Sequence, residues 1–305
     1  MHLKPLLLGV LSPAQLVLAL LILAAAVYAA VFVTRRTESA GLQSGTLRSG
    51  RFERTYHVYV PPSYRADSPA PVLLAYHGFG GTGAGMRASA GLDVIGDRYG
   101  ALVVYPDAIP EASHAWALSC PDCTRADKLG VDDVQFTLDL IEELGRRYSI
   151  DRSRIYATGH SLGGSFVSVL ACSHAAQLAG VAIVASLLTR EEEDTCQPAH
   201  PMRYLHIIGS VDPNVPWTGG GRYGYVGAEE TARLWAARNG CTTPVSVDTL
   251  PGQGSDYSAT VWSYGACRDG TLVRLYRLEG AGHVWPLGST VSVLEEIGRW
   301  FFDGH

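Results

Sequence analysis

The most informative segment of the sequence is Arg154-Ile155-Tyr156-Ala157-Thr158-Gly159-His160-Ser161-Leu162-Gly163-Gly164. Its first half is a short apolar run suited to a buried strand, and a helical pattern over 163–174 follows at once. Between the two lies G-x-S-x-G. At a strand-to-helix turn this pattern makes a nucleophile elbow: the glycines permit a tight, strained turn that leaves the serine hydroxyl exposed. The same letters in another context would be a glycine turn with a serine N-cap. The strand before and the helix after make Ser161 the candidate nucleophile.

The surrounding chain repeats the same alternation. Apolar runs lie at 72–76, 101–105, 154–158, 181–185, 204–208 and 272–278, and 54–60 alternates like a strand before stopping at Pro61-Pro62. Short, nearly continuous apolar runs suit strands covered on both faces. Helical patterns occupy 84–98, 134–147, 163–174, 228–239 and 291–302. Strand and helix in alternation imply an α/β fold, with a mostly parallel central sheet and helices on both faces.

Composition agrees with a folded body: of 305 residues, 47% are hydrophobic and 17% charged. The 24 basic and 29 acidic residues give 24 − 29 = −5, so no bulk positive field attracts nucleic acid. From Leu6 to Val33 no side chain is charged, which is long enough to span a bilayer. Residues 1–36 are therefore expected to be a signal peptide or an uncleaved membrane anchor, 37–50 a linker, and 51–305 one catalytic domain. Any membrane association is expected only through that front segment.

A serine hydroxyl is a weak nucleophile until a base takes its proton and a third group orients the base. On this fold the chain order is Ser, acid, His. His283 lies in Gly280-Ala281-Gly282-His283-Val284-Trp285-Pro286, a loop between the last apolar run and the final helical pattern, where an exposed base belongs. His206 falls within an apolar strand and is expected to be structural. Asp212 follows the run 204–208 and is the candidate acid, because a carboxylate at a strand's carboxyl end reaches the same crevice. Asp212 before Pro213 would alternatively serve an Asx turn. Asp132 and Asp133 are expected to be N-cap residues for the helix at 134–147.

The oxyanion of an acyl-transfer intermediate needs two fixed N–H donors. The amide of Leu162, the residue after the nucleophile, is one candidate. The loop His77-Gly78-Phe79-Gly80-Gly81 follows the run 72–76, and its Phe79 amide is the other, with Gly80 next. Trp116, Trp217 and Trp285 are candidate walls of a substrate pocket, each with core packing as the alternative. Neither a dinucleotide nor a P-loop glycine pattern occurs in context, and no metal or organic cofactor is expected.

The six cysteines are Cys120, Cys123, Cys172, Cys196, Cys241 and Cys267. A second C-x-x-C is absent, so Cys120 and Cys123 do not make a zinc ribbon. An even count behind an export segment indicates disulfides in an oxidising compartment. Sequence proximity pairs Cys120 with Cys123, Cys172 with Cys196 and Cys241 with Cys267, one of the 15 arrangements that six cysteines allow.

Taken together, Tyr59-Val60-Pro61, His77-Gly78, Val104-Tyr105-Pro106-Asp107, Trp116, Val131-Asp132-Asp133-Val134, Tyr156-Ala157-Thr158-Gly159-His160-Ser161, Asn239-Gly240-Cys241 and Gly282-His283-Val284-Trp285-Pro286 resemble the polyhydroxybutyrate depolymerase and feruloyl esterase (LpqC-like) branch of the α/β-hydrolases. The resemblance runs in order from Arg54 nearly to Phe302. It implies Ser161, Asp212 and His283 as a triad, similar cysteine pairs, and an exported serine carboxylesterase. Relatives often carry Ser-Asn-Gly-Gly where Ser161-Leu162-Gly163-Gly164 stands here; Leu162 supplies a backbone N–H equally well. No lipobox cysteine occurs near the N-terminus, which argues against lipid anchoring.

The expected substrate is an oligomeric 3-hydroxybutyrate ester, with feruloyl or acetylxylan esters of plant polysaccharide as the alternative. A catalytically inactive binding module on the same fold is the alternative of another class, and a binding scaffold has no need of all three triad residues. A peptidase on this fold would instead cleave amides.

Overall fold

The computed structural model describes residues 40–173, 178–221, 223–254 and 256–303. The expected signal or anchor segment, 1–36, lies outside the described residues. Among those described, no helix is long and apolar enough to cross a membrane.

The chain order is β1 (Gly41–Ser49), β2 (Phe52–Val60), β3 (Ala70–Tyr76), α1 (Gly83–Ala90), α2 (Asp93–Tyr99), β4 (Leu102–Pro106), α3 (Arg125–Lys128), α4 (Asp133–Arg147) and β5 (Ile150–His160). It continues with α5 (Leu162–Ser173), β6 (Gly180–Val184), α6 (Arg190–Thr195), β7 (Arg203–Gly209), α7 (Ala228–Arg238), β8 (Ser246–Leu250), β9 (Ala259–Tyr264), β10 (Val273–Leu278) and α8 (Val293–Ile297). One ten-stranded sheet has the order β1-β2-β4-β3-β5-β6-β7-β10-β9-β8. The middle strands from β4 to β10 run parallel, and an antiparallel pair closes each edge.

Alternate residues of each inner strand feed two separate cores. Val72, Leu74 and Tyr76 of β3 join Phe136 and Leu140 of α4, Phe166 and Leu170 of α5, and Trp235 of α7. Leu73 and Ala75 join Met86 of α1, Ile95 of α2 and Ile297 of α8 on the other face. Every residue of β3, β4 and β6 is buried, as their continuous apolar runs require. The α/β architecture expected from the alternation, with a mostly parallel sheet and helices on both faces, is thus the one formed, and it is the α/β-hydrolase fold that the resemblance implied.

Three expectations change. The presumed linker 37–50 contains β1, which pairs along its whole length with β2 from Gly41↔Val60 to Ser49↔Phe52. An edge strand is held by main-chain bonds to one neighbour, so it needs no apolar run. The helix expected over 84–98 is broken in two because Gly91, at φ 66°, caps α1 in the left-handed region. Asp132 does cap α4, accepting from the Gln135 amide at 2.8 Å, but Asp133 turns inward instead. Its carboxylate is buried against Arg54 at 2.6 Å.

The three disulfides are Cys120–Cys123, Cys172–Cys196 and Cys241–Cys267. Two of them close loops with sequence separations of 24 and 26 residues. Loop entropy of that size is worth about 3–4 kcal/mol for each. Cys172–Cys196 ties the end of α5, the helix behind Ser161, to the end of α6. Such bridges persist in an oxidising compartment and indicate an extracytoplasmic location.

Candidate active site

Ser161 sits between β5 and α5 with φ 55°, a left-handed conformation that non-glycine residues adopt under strain. Its amide donates to Val184 O on β6 at 2.9 Å, which fixes the turn against the neighbouring strand. The flanking glycines are steric requirements. A Cβ at Gly159 would lie 2.3 Å from Gly163 O, and one at Gly163 would lie 2.3 Å from Tyr76 O. Strand β3, the elbow and the first turn of α5 therefore touch through backbone alone.

The loop after β3 is locked by His77. Its Nε2 accepts from the Ala108 amide at 3.1 Å, and its Nδ1–H donates to Gly78 O at 2.7 Å. Burial pushes the His77 pKa down, which favours this neutral form. Trp116 donates from its indole to His77 O at 2.8 Å. The expectation that Trp116 lines a substrate pocket is corrected here: it is fully buried, and its ring packs on Tyr76, Phe166 and His77. Gly78 then approaches the nucleophile so closely that a Cβ there would be 3.4 Å from Ser161 Cβ. The Phe79 side chain projects into solvent with 69% of its surface exposed. Among the described residues, the Phe79 and Leu162 amides are not occupied by another hydrogen bond.

On the other side of Ser161, the loops after β7 and β10 are stitched together. The Val211 amide donates to Ala281 O at 3.0 Å, and the Gly280 amide to Ser210 Oγ at 2.8 Å. Gly209 must lack a side chain, because a Cβ would meet Ala281 O and Gly282 O at 2.3 Å. The stitch brings Asp212 to His283, whose Nδ1–H donates to Asp212 Oδ2 at 2.7 Å across 71 residues of sequence. The buried Asp212 carboxylate also accepts from the Asn214 and Val215 amides through Oδ1 at 2.8 and 3.0 Å. Asp212 thus makes the Asx turn and the histidine contact together, one with each oxygen. With Nδ1 donating, Nε2 of His283 is left as the basic nitrogen.

His160, the residue before the nucleophile, joins the two sides. Its ring centroid stands 5.0 Å from that of His283 and 6.2 Å from that of Trp285. Burial, with a smaller contribution from His283, pushes the His160 pKa down to about 4. A neutral ring therefore packs beside the candidate base. Among the described residues Ser161 Oγ and His283 form no hydrogen bond; such contacts often tighten only when substrate binds. Sequence reasoning did not single out His160, and its only signal was adjacency to Ser161.

Trp217 packs over strands β9 and β10. Its ring lies tilted against that of Trp262 of β9, with centroids 5.3 Å apart, and the Arg277 guanidinium is 5.3 Å from it. His206 is buried in β7 and donates from Nε2 to Ser186 O at 2.6 Å.

Residues 49–249 match the protein family described as "Putative esterase". Feruloyl esterase B of Piromyces equi is 32% identical over 236 residues, 74% of this chain and 42% of that protein. The bifunctional acetylxylan esterase/xylanase of Neocallimastix patriciarum is 24% identical over 253 residues, 82% of this chain and 34% of that protein. The chain thus spans less than half the length of either. Among solved structures, an acetyl xylan esterase from Aspergillus awamori superposes with a TM-score of 0.62 at 18% identity, covering 86% of this chain and 99% of that one. That likeness is one of fold. The family match covers well over half of the chain and includes the strained elbow, so this chain belongs to that esterase family, on the α/β-hydrolase fold.

Proposed function

We propose that this chain is a serine carboxylesterase acting on feruloyl or acetyl esters of plant polysaccharide. The observation that carries the reading is the 2.7 Å Asp212–His283 contact, set beside a serine on a strained elbow. Ser161 attacks the ester carbonyl while Nε2 of His283 takes its proton. Asp212 holds the ring in the tautomer with hydrogen on Nδ1 and stabilises the imidazolium that forms. The amides of Leu162 and Phe79 receive the oxyanion. His283 returns the proton to the departing alcohol, then activates water to release the acid.

The feruloyl and acetylxylan activities named for the relatives favour this substrate class over the 3-hydroxybutyrate oligomers expected from sequence. The reading includes export, since three disulfides suit an oxidising compartment and the apolar front of the chain would carry it there. The test is a panel of methyl ferulate, acetylated xylan and hydroxybutyrate oligomers with wild type and Ser161→Ala. We expect turnover of the first two and a loss of about a millionfold in kcat in the variant. Hydrolysis independent of Ser161 overturns the mechanism, and preference for hydroxybutyrate oligomers overturns the substrate class.

A further inference from the structure

We propose that the cavity beside the His283 loop is the leaving-group subsite and takes a sugar ring; the inference rests on the esterase reading above. The cavity has a volume of about 270 Å³, with Asp256, Tyr257, Trp285 and Leu287 in its wall. Small-molecule sites begin near about 300 Å³, so this space suits one ring of a chain. It is linked to the chemistry through a single side chain, because Trp285 faces the cavity and also packs against His160, the neighbour of His283.

Position selects the leaving alcohol over the acyl group. In the strand order β3-β5-β6-β7-β10, the Phe79 loop and the His283 loop flank Ser161 from opposite sides. The carbonyl oxygen turns toward the Phe79 side, where the free amides lie. The alcohol oxygen must meet His283 Nε2 to receive its proton. Residues 284–288, which follow His283 directly, form the cavity wall. The alcohol's substituent is therefore directed into it.

Chemistry selects a polyol. Asp256 uses Oδ2 to accept from the Ser289 amide at 2.5 Å, the Ser289 hydroxyl, and the Thr290 amide at 3.2 Å. The Ser289 contacts hold its carboxyl below the ordinary aspartate range, so it is ionised at neutral pH. Oδ1 takes none of these bonds and lies over Gly288 on the cavity wall. Tyr257 and Leu287 are 41% and 51% exposed and supply an aromatic and apolar surface. A sugar presents both matching surfaces: a C–H face for the tyrosine ring and hydroxyl donors for the carboxylate. A methyl or alkyl alcohol leaves Asp256 unanswered, which is where discrimination arises.

The experiment compares 5-O-feruloyl arabinose with methyl ferulate, esters that share one acyl group, for wild type, Asp256→Ala and Tyr257→Ala. We expect wild type to favour the sugar ester in kcat/KM by about tenfold or more, and each variant to reduce that ratio through KM. Tyr257→Ala leaves the Asp256 turn in place, so it separates lost binding from a loosened loop. A ratio that stays constant across the variants overturns the inference while the esterase reading stands. Should wild type cleave neither ester, the feruloyl half of that reading fails instead. Calorimetric titration of Ser161→Ala with arabinose then decides the subsite: saturable binding lost in the Tyr257→Ala double variant supports it, and no binding overturns it.

Discussion

The two sides of Ser161 are built differently. On the β3 side, every part behind the Phe79 amide is dry and multiply bonded. His77 is held at both ring nitrogens and at its carbonyl, and the Trp116 that holds the carbonyl is core. Behind these lies the buried Arg54–Asp133 pair, with Asp133 Oδ2 accepting from the Ala117 amide at 2.7 Å and Arg54 over the Phe136 ring at 3.8 Å. On the β7–β10 side, Asp212 is buried, but Val211 beside it and Leu287, four residues after His283, are 62% and 51% exposed. Two loops meet there through a few main-chain bonds. Oxyanion donors must be fixed before charge develops, because reorganisation would cost what they supply. A base that passes a proton and releases an alcohol needs open space beside it.

Substitutions that damage one side alone sharpen this contrast. Asp212→Asn keeps both amide acceptances yet favours the wrong His283 tautomer. It should lower kcat by about 10⁴-fold with little change in the urea midpoint. Asp133→Asn acts on the other side by leaving the Arg54 charge buried with weaker partners. It should cost about 3–5 kcal/mol in urea unfolding, and Arg54→Met with Asp133→Leu should recover part of that. If Asp133→Asn instead cut kcat with stability intact, the β3 side would not owe its rigidity to this pair.

The smallest effect concerns pH. Burial pushes His206 down to about 4, and burial with His283 does the same for His160. The ordinary value is near 6.5, so the unfolded chain binds more protons than the native one between these limits. Stability present above about pH 6.5 is lost as pH falls toward 4, by up to about 3 kcal/mol per histidine. Glu192, raised to about 7 by burial, acts with the opposite sign, losing stability as pH rises from 4.5. His206→Gln should therefore flatten the acid limb of a stability profile measured by urea melts from pH 7 to 4. An unchanged limb would mean that His206 is not titrating with unfolding.

Local pattern made much of the site legible. The elbow, the His283 loop and the Asp212 turn are each a few contiguous residues whose chemistry follows from spacing and strand ends. The cysteine pairs followed from proximity. What escaped had no local signal. Strand β8 is exposed at four of its five positions and β1 alternates without a buried core, so neither carries an apolar run. Asp133 looks like a cap in sequence, and its partner Arg54 lies 79 residues away. Trp116 resembles a pocket wall until Tyr76, Phe166 and His77 are seen to enclose it.

The sequence by itself determined the fold class, the elbow, and the candidates for nucleophile, base and acid, because those depend on periodicity and short-range backbone sterics. Only the tertiary structure decided that Gly209 lets two loops approach to join Asp212 with His283, that His77 locks the Phe79 loop, and that an open cavity adjoins Trp285. These are contacts between segments far apart in the chain. Nothing in a local pattern specifies which distant group arrives to meet a free hydrogen-bonding atom.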